Sequence, residues 1–244
     1  MKSIRIPNGI TSIKQYAFNN CSSLTSIILP NNLTELEGYV FQGCYALTSI
    51  NIPSTVTSIG DYIFASCASL QEIEIPNGIT SIGNNAFQYC YSLKRIQIPS
   101  SLTSIGKNAF FGCNSIQEII IPSDVTSIGE WAFYQCYTLK NITIPSGVTI
   151  LNNYIFSGCY TLKKITIPSD VTSIGNNAFY NCYGMEEYHL LPTTPPTLGT
   201  NVFYSIPSDC IIYVPYSADH SILTAYQSET NWSDYASYMQ EEPQ

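Results

Sequence analysis

IQEIIIPSDVTSIGEWAFYQCYT, residues 116–138, contains every element of a unit that the chain repeats. The stretch opens with isoleucines and reaches a proline at Pro122. It returns to apolar residues at Val125 and Ile128 and ends in the sequence A-F-x-x-C. The same order of residue types recurs every 23 residues, eight times in succession, without an insertion. The chain is therefore built from copies of one short unit rather than from a single irregular core.

Three residue types mark the period most clearly. The prolines are Pro7, Pro30, Pro53, Pro76, Pro99, Pro122, Pro145 and Pro168. The phenylalanines are Phe18, Phe41, Phe64, Phe87, Phe110, Phe133, Phe156 and Phe179. The cysteines are Cys21, Cys44, Cys67, Cys90, Cys113, Cys136, Cys159 and Cys182. A fixed period of about 20 to 29 residues with Leu or Ile at set positions is typical of a leucine-rich-repeat solenoid, whose coils bury their apolar faces against one another.

Each segment of the unit predicts a local structure. The segment L-x-x-I-x-I, as in Leu70, Ile73 and Ile75, alternates and is rich in β-branched residues, so it predicts a short strand. The proline that follows lacks an N–H for the ladder and ends that strand. V-T-x-I then returns to the interior as a second short strand. Glycine after this Ile suits a tight corner or one with positive φ. A-F-x-x-C predicts a single helical or 3₁₀ turn.

The unit resembles the BspA-like class of leucine-rich repeat, through the string I-P-x-x-V-x-x-I-G-x-x-A-F-x-x-C-x-x-L. The resemblance covers residues 4 to about 190 and continues in degenerate form to 215, with Glu37 and Asn152 replacing the corner glycine. It implies an α/β-type, predominantly β solenoid: a right-handed coil with a parallel sheet on its concave face. Short strands and 3₁₀ turns complete each coil, and a helical cap closes the C-terminal end.

The repeated cysteines predict buried core residues. In-register side chains of a parallel stack lie about 4.8 Å apart and point the same way, whereas a disulfide needs Cβ atoms near 3.8 Å that face each other. The repeats contain no histidine up to the last unit and no C-x-x-C, so a metal site is not expected. Eight equivalent thiols without a neighbouring base do not indicate a nucleophile. An isolated pairing that involves Cys210, the ninth cysteine, stays open.

The period predicts how the chain is organised. Residues 1–191 form the solenoid of eight units, which begins in the middle of a repeat. Residues 192–244 form a degenerate ninth repeat and a helical cap that packs on the same core, because 217–240 lose the repeat and carry amphipathic spacing. Because the first unit is incomplete, we expect that the chain was part of a longer one with a signal sequence and more repeats upstream.

The composition limits the classes of function. Only 11% of the residues are charged, and 17 acidic against 9 basic residues give a net charge of −8. This balance argues against nucleic-acid partners, and no apolar run is long enough to span a membrane. The two histidines, His189 and His220, have no matched nucleophile or carboxylate. We therefore expect no enzyme activity, no catalytic residues, no cofactor and no metal.

One candidate binding surface is the exposed face of the first strand series. Glu72, Glu74, Arg95, Glu118 and Lys164 occupy its outward positions. Glu72, Arg95 and Glu118 fall on successive strands, so we expect their charges to neutralise one another. This surface is either a polar groove that binds a protein or a solvated sheet with no ligand.

A second candidate is a column of tyrosines directly after the repeated cysteine. Its members are Tyr45, Tyr91, Tyr137, Tyr160 and Tyr183. A further aromatic column lies two residues before the phenylalanine, at Tyr16, Tyr39, Tyr62, Trp131 and Tyr154. Neither position belongs to the buried consensus, so both columns are expected to be partly exposed. Exposed tyrosines suit protein or glycan recognition, but rings on neighbouring coils could equally stack and stiffen the solenoid.

The resemblance implies attachment to host or matrix proteins, often on bacterial cell surfaces. We therefore predict a monomeric recognition or adhesion module, on the cell surface or secreted, that binds protein or glycan ligands without inserting into the membrane. A passive spacer without a ligand of its own is the alternative.

Overall fold

The computed structural model describes residues 2–244, which form a parallel-strand β-solenoid of about 10 turns. Two short helical segments follow the repeats: an α-helix, α1 (Ser221–Ser228), and a 3₁₀ helix, η1 (Ser233–Tyr238). The strands are β1 (Ser3–Arg5), β2 (Ser12–Ile13), β3 (Ser26–Ile28), β4 (Glu35–Leu36), β5 (Glu72–Glu74), β6 (Ser81–Ile82), β7 (Arg95–Gln97), β8 (Ser104–Ile105), β9 (Glu118–Ile119), β10 (Ser127–Ile128), β11 (Asn141–Ile142), β12 (Ile150–Leu151), β13 (Lys164–Ile167), β14 (Ser173–Ile174), β15 (Glu187–Leu190), β16 (Thr197–Leu198), β17 (Ile211–Val214) and β18 (Met239–Glu241).

Both predicted strand series are present in most coils, as short sheets of two to four strands, and both pair in parallel with the expected register. The third coil forms no strand at 49–52 and joins the second series only through the bridge of Ile59 to Ile82. In the first series, which precedes the prolines, Ser3 lies opposite Ser26. In the second series, Ser81 lies opposite Ser104. Each step is one 23-residue unit, so equivalent residues of successive coils lie side by side. The prediction of a stacked coil is therefore confirmed.

The repeated phenylalanines form the centre of the core. Neighbouring rings from Phe18 to Phe203 stack with centroids 5.5 to 5.8 Å apart, and the planes of Phe87 and Phe110 differ by only 2°. The rings from Phe41 onward are almost fully buried, together with most of the inward-pointing Leu, Ile and Val side chains of both strand series. One apolar column therefore runs through the whole solenoid.

Seven of the eight repeated cysteines, Cys44 to Cys182, lie in this core as predicted and also hydrogen-bond to the neighbouring coil, whereas Cys21 in the first coil is exposed and the prediction of burial is wrong for it. From Cys44 to Cys182, each Sγ lies 3.1 to 3.4 Å from the carbonyl oxygen of the phenylalanine in the preceding coil, for example Cys90 with Phe64. All nine cysteines are free, Cys210 included, so the alternative pairing of that residue is not formed. Burial raises the pKa of the Cys136 thiol to about 12, which keeps it protonated as a donor.

The A-F-x-x-C segment is not the helical or 3₁₀ turn that the sequence predicts. It forms two successive tight turns, and the residue two before the phenylalanine has a left-handed backbone, with φ of 56° at Asn85 and 54° at Asn108. The amide of each phenylalanine donates to the next coil instead of to its own turn, as Phe87 N–H does to the Ala109 carbonyl at 2.8 Å. The phenylalanine amides are therefore satisfied by the next coil rather than by hydrogen bonds within a helix.

The corner glycines are required for close approach rather than for positive φ. Gly106 and Gly129 have ordinary φ values, but a Cβ on either would lie 2.5 to 2.7 Å from a backbone nitrogen of the preceding coil. Their amides donate across the same contact, with Gly129 N–H 2.9 Å from the Ile105 carbonyl oxygen. The coils therefore approach closely at this corner, and a Cβ on these glycines would displace the neighbouring backbone.

The C-terminal residues 217–244 cover the last coil with aromatic side chains. Tyr226 and Trp232 are fully buried, and they donate hydrogen bonds to the carbonyls of Pro192 at 2.8 Å and Pro196 at 2.7 Å. After η1, β18 adds in parallel to β17, a strand that the sequence prediction of helices did not include. The added strand pairs the edge that β17 would otherwise leave open.

We expect Gly129→Ala to destabilise the protein by about 2 to 3 kcal/mol, because the new methyl group would contact the backbone of Lys107 at 2.5 Å. Gly9→Ala is the matched control, since a Cβ there meets no atom within 4 Å and its change should stay within about 1 kcal/mol. Urea denaturation of both variants gives the comparison. Equal stabilities of the two variants would contradict the close contact.

We also expect a thiol reagent to modify only Cys21 rapidly in the native protein, because it is exposed and the other eight cysteines are buried. All nine thiols should react in denaturant without a reductant. Cys21→Ser should remove the rapid phase and leave eight slow thiols. A count below nine in denaturant would indicate a disulfide and would overturn the free-thiol ladder.

Candidate ligand-binding surfaces

The outward side chains of the first series of strands lie on one side of the solenoid, on a polar surface that we term the strand face. Glu72, Glu74, Arg95, Glu118 and Lys164 are all exposed on it. Their neighbours in the sequence, such as Ile73 and Ile119, point inward and are buried. The period-2 alternation of the strands therefore places the predicted residues on a common surface, while their role in binding stays a prediction.

The expected neutralisation of charge at Glu72, Arg95 and Glu118 is not present. Glu72 and Arg95 are register partners, but no ion pair within 4 Å joins any two of these three residues in the described chain. Ion pairs form instead two coils later, between Lys164 and Glu187 at 2.7 Å. One physical reason is that β7 and β9 are not hydrogen-bonded, so the strands that carry Arg95 and Glu118 are not held at normal sheet spacing.

The predicted tyrosine column, here termed the tyrosine ridge, comprises Tyr45, Tyr91, Tyr137, Tyr160 and Tyr183. Four of its members are 40 to 55% exposed, and Tyr137 is half-buried. Tyr137 stacks on Tyr160 with ring centroids 4.7 Å apart and planes at 15°. The rings of Tyr160 and Tyr183 are tilted against each other, with centroids 5.4 Å apart. The predicted partial exposure is therefore present together with stacking, and the choice between recognition and stiffening of the solenoid stays open at this point.

The second aromatic column also stacks, with centroids 4.7 Å apart for Tyr39 and Tyr62 and 3.9 Å for Trp131 and Tyr154. All of its members occupy the left-handed position of the turn, with φ between 55° and 65°. Non-glycine residues adopt this region at a cost, and Asn does so most readily. Other coils have Asn at the equivalent position, for example Asn85. The aromatic residues therefore adopt a left-handed backbone conformation that suits Asn better than it suits them.

A third set of aromatic residues, not predicted from the sequence, stacks along the solenoid and contacts the second column. Phe111 and Tyr134, each directly after a core phenylalanine, stack at 4.8 Å, and Tyr134 meets Trp131 edge to face at 4.9 Å. Tyr180 and Tyr204 repeat this stacking at 4.7 Å. The sequence contains a signal for this set, because Phe111, Tyr134 and Tyr180 each follow a repeated phenylalanine and are separated by multiples of 23 residues.

The stacked arrangement decides which ring surfaces are available. Tyr137 and Tyr160 cover one face of each other, and Tyr183 lies tilted against Tyr160, so these three rings offer mainly their edges and outer faces to a ligand. Burial and the neighbouring tyrosine raise the pKa of Tyr137, which keeps its hydroxyl protonated. Such edges and hydroxyls suit carbonyl and amide groups, whereas stacking on a sugar ring would need an open face.

A histidine with two carboxylates lies where the strand face meets the C-terminal cap. His189 on β15 has Nδ1 2.6 Å from Glu242 and Nε2 2.9 Å from Glu187, and it stacks on Tyr213 with centroids 5.0 Å apart. Partial burial lowers the pKa of His189, but Glu187 and Glu242 raise it by more, so the pKa lies above its usual value of 6.5. Lys164 contacts the same Glu187 and, with His189, lowers the pKa of that carboxyl.

The described residues contain neither a candidate metal site nor a candidate membrane span. Within residues 2–244, no group of three or more His, Cys, Asp or Glu side chains is arranged to hold a metal ion. In the same range, no helix has the length and apolarity that a bilayer span requires.

The fold and its repeated surfaces define a leucine-rich-repeat solenoid protein. The family profile described as "BspA type Leucine rich repeat region (6 copies)" matches residues 1–117 and 80–210. The chain therefore belongs to the BspA-type leucine-rich-repeat family, and the resemblance seen in the sequence is confirmed.

Solved bacterial structures share this fold. A leucine-rich repeat protein from Bacteroides ovatus is 29% identical, with a TM-score of 0.65 over 88% of this chain and 67% of that one. A leucine-rich cell surface protein from Faecalibacterium prausnitzii is 25% identical, with a TM-score of 0.59 over 100% and 83%. The leucine-rich repeat protein of T. pallidum is 27% identical, with a TM-score of 0.54 over 84% and 78%. The comparison with curated proteins finds no match.

We expect the contribution of His189 to stability to depend on pH. Because the folded-state pKa is raised, the stabilisation is fully present below about pH 6.5 and is lost as the pH rises through the folded-state value. His189→Gln should therefore lower the melting temperature more at pH 6 than at pH 9. In a Glu187→Gln, Glu242→Gln background the same substitution should show little pH dependence. Equal losses at both pH values in the wild-type background would contradict the assignment.

Proposed function

We propose that this chain is a non-enzymatic recognition module, displayed on a cell surface or secreted, that adheres to protein ligands. The proposal is supported by membership of the BspA-type family and by the similarity to a bacterial cell surface protein from F. prausnitzii. The tyrosine ridge and the strand face are the two surfaces that would contact the partner. The stacked but exposed ridge is the observation that carries the proposal.

The ridge favours a protein over a glycan as the ligand. Tyrosines supply large contact area and a polar tip, and those on a rigid backbone lose little entropy on binding. Because Tyr137 and Tyr160 already cover one another's faces at 4.7 Å, the CH groups of a sugar have access mainly to ring edges. A protein partner can use the same edges and hydroxyls through its own carbonyl, amide and aromatic groups.

A passive spacer is the second candidate, because the same stacking also favours it. Rings that contact one another from coil to coil stabilise the solenoid whether or not a ligand binds. The two functions differ in what removal of the rings should change. A recognition surface loses affinity, whereas a stiffening ladder loses stability.

We expect Tyr137→Ala with Tyr160→Ala to weaken binding to a protein partner by about tenfold or more. The partner is first selected by screening the chain against a panel of extracellular-matrix proteins and a glycan array. Binding is then measured by surface plasmon resonance. The melting temperature should fall by only about 3 °C, because both rings are partly exposed and few core contacts are lost.

Two control variants separate the candidate functions. Tyr137→Phe with Tyr160→Phe keeps the stacking and removes only the hydroxyls, so it isolates the polar contribution. Tyr39→Ala with Tyr62→Ala removes an equivalent stacked pair outside the ridge and should leave binding unchanged. A large loss of stability with unchanged binding in the ridge variant would favour the spacer. Absence of binding to every matrix protein and every glycan would favour it as well.

A further inference from the structure

The strand face is interrupted at several steps of the coil, and one of these interruptions, between β7 and β9, lies near its middle. At the step before this interruption, Lys94 N–H, just before β7, donates to the Gln71 carbonyl of the preceding coil at 2.8 Å. At the step after it, Lys140 N–H, just before β11, donates to the Gln117 carbonyl at 2.8 Å. Gln117 makes no such bond to Lys94, and β7 and β9 share no backbone hydrogen bond in the described chain. The sheet is therefore open along this line.

The interruption is local to the strand face. The same two coils are joined on their other sides by Thr126 N–H to the Thr103 carbonyl at 3.0 Å and by Phe110 N–H to the Ala132 carbonyl at 2.9 Å. Phe110 and Phe133 remain stacked at 5.5 Å across the same step. The core is thus continuous beneath an opening in the surface.

Apolar residues of two kinds lie beside the opening: inward residues that are less buried than in the preceding coil, and an isoleucine at an outward position. Ile96 and Ile98 are half-buried, whereas the equivalent Ile73 and Ile75 of the preceding coil are 4% and 2% exposed. On the opposite wall Ile120 is 76% exposed, more than any other large apolar side chain of the described chain. These residues line a groove of about 800 Å³, within the roughly 300 to 1,000 Å³ of typical ligand sites.

Cations without carboxylate partners gather around this groove. Lys14, Lys107, Lys163 and Lys164 each lie within 4 Å of a glutamate. Lys94 and Arg95 on one wall form no ion pair in the described chain, and Lys140, beside the other wall, contacts only the amide oxygen of Gln117 at 3.2 Å. Glu118 lies on the opposite wall and Glu72 is the register partner of Arg95, so the groove carries both signs of charge, with the unpaired cations on the Lys94 and Arg95 wall and at Lys140.

The geometry also limits how a ligand could enter. A complete extra strand between β7 and β9 would require them to stand about 9.6 Å apart, twice the usual spacing of about 4.8 Å. Cα atoms of the two strands approach within 8 Å, so a whole strand does not fit between them. Side chains can enter the groove while the backbone that carries them lies across its mouth.

We propose that this groove binds an acidic, extended segment of a partner protein, in which an aliphatic residue stands between carboxylates. The aliphatic side chain packs between Ile96, Ile98 and Ile120, and the carboxylates pair with Lys94 and Arg95. Glu118, on the opposite wall, accepts an amide of the segment. This inference rests on the proposed function, since it names the kind of protein segment that the recognition module would take.

The test uses short fluorescein-labelled peptides and fluorescence anisotropy at low salt. The probe alternates glutamate with isoleucine or leucine. One comparison peptide replaces every glutamate with lysine, and another replaces every aliphatic residue with serine. We expect the acidic aliphatic peptide to bind at least tenfold more tightly than either comparison peptide, and to lose affinity as salt screens the charges.

Variants assign the binding to the groove. Lys94→Glu with Arg95→Glu should weaken the acidic peptide at least tenfold, and Ile120→Ser by about fivefold. Lys2→Glu with Arg5→Glu makes the same change of charge on the first coil of the same face and should change affinity less than twofold. All of these side chains are exposed, and circular dichroism verifies that each variant is folded.

Absence of peptide binding, equal binding of the lysine peptide, or equal effects of the two charge reversals would overturn the inference. Failure of the proposed function would look different. A matrix protein whose binding requires the tyrosine ridge but not Lys94, Arg95 and Ile120 would uphold recognition and refute the groove. If the peptide binds in the groove but no matrix protein or glycan binds the chain, the groove would be upheld and the proposed recognition function refuted.

Discussion

The structure depends on one constraint: each coil satisfies its polar backbone groups on the next coil at a constant distance. Phenylalanine amides donate forward to the next coil, as Phe87 does to Ala109, whereas corner glycine amides donate back, as Gly129 does to Ile105. The cysteine thiols also donate to the preceding coil, as Cys90 does to Phe64 at 3.2 Å. An insertion in one unit would misalign all these donors at once, which explains why the 23-residue period is unbroken through eight units.

The same constraint determines which residue types the contacts accept. Glycine is needed at the corner because a Cβ would lie within 2.7 Å of the neighbouring backbone, and the small thiol of cysteine fits beside the stacked phenylalanine rings. Where Asn152 replaces the glycine, its side-chain amide donates to the Ile128 carbonyl at 2.7 Å and so supplies a bond of its own. Outward positions carry no such requirement, so functional differences between coils are concentrated there.

Much of this could be predicted from the sequence, because a strict period converts one unit into the whole stack. The strands, the buried cysteines and the exposure of the tyrosine ridge follow from it. The left-handed turn at Asn85 did not, because short segments with the same spacing also form helical turns. The groove could not be predicted either, since Ile96 and Ile98 have the same residue type as the buried Ile73 and Ile75 and differ only in how far the next strand has moved.

Positions where the coils differ are therefore the most informative about function. Trp131 and Tyr154 occupy left-handed positions that together cost about 2 kcal/mol or more, whereas their stacking at 3.9 Å returns about 0.5 to 1.5 kcal/mol. These rings are therefore not explained by the stability of the fold, since Asn fills the same position in other coils at less cost. A surface that folding does not require can be shaped by its partner, and this holds equally for the exposed Ile120 beside the open sheet.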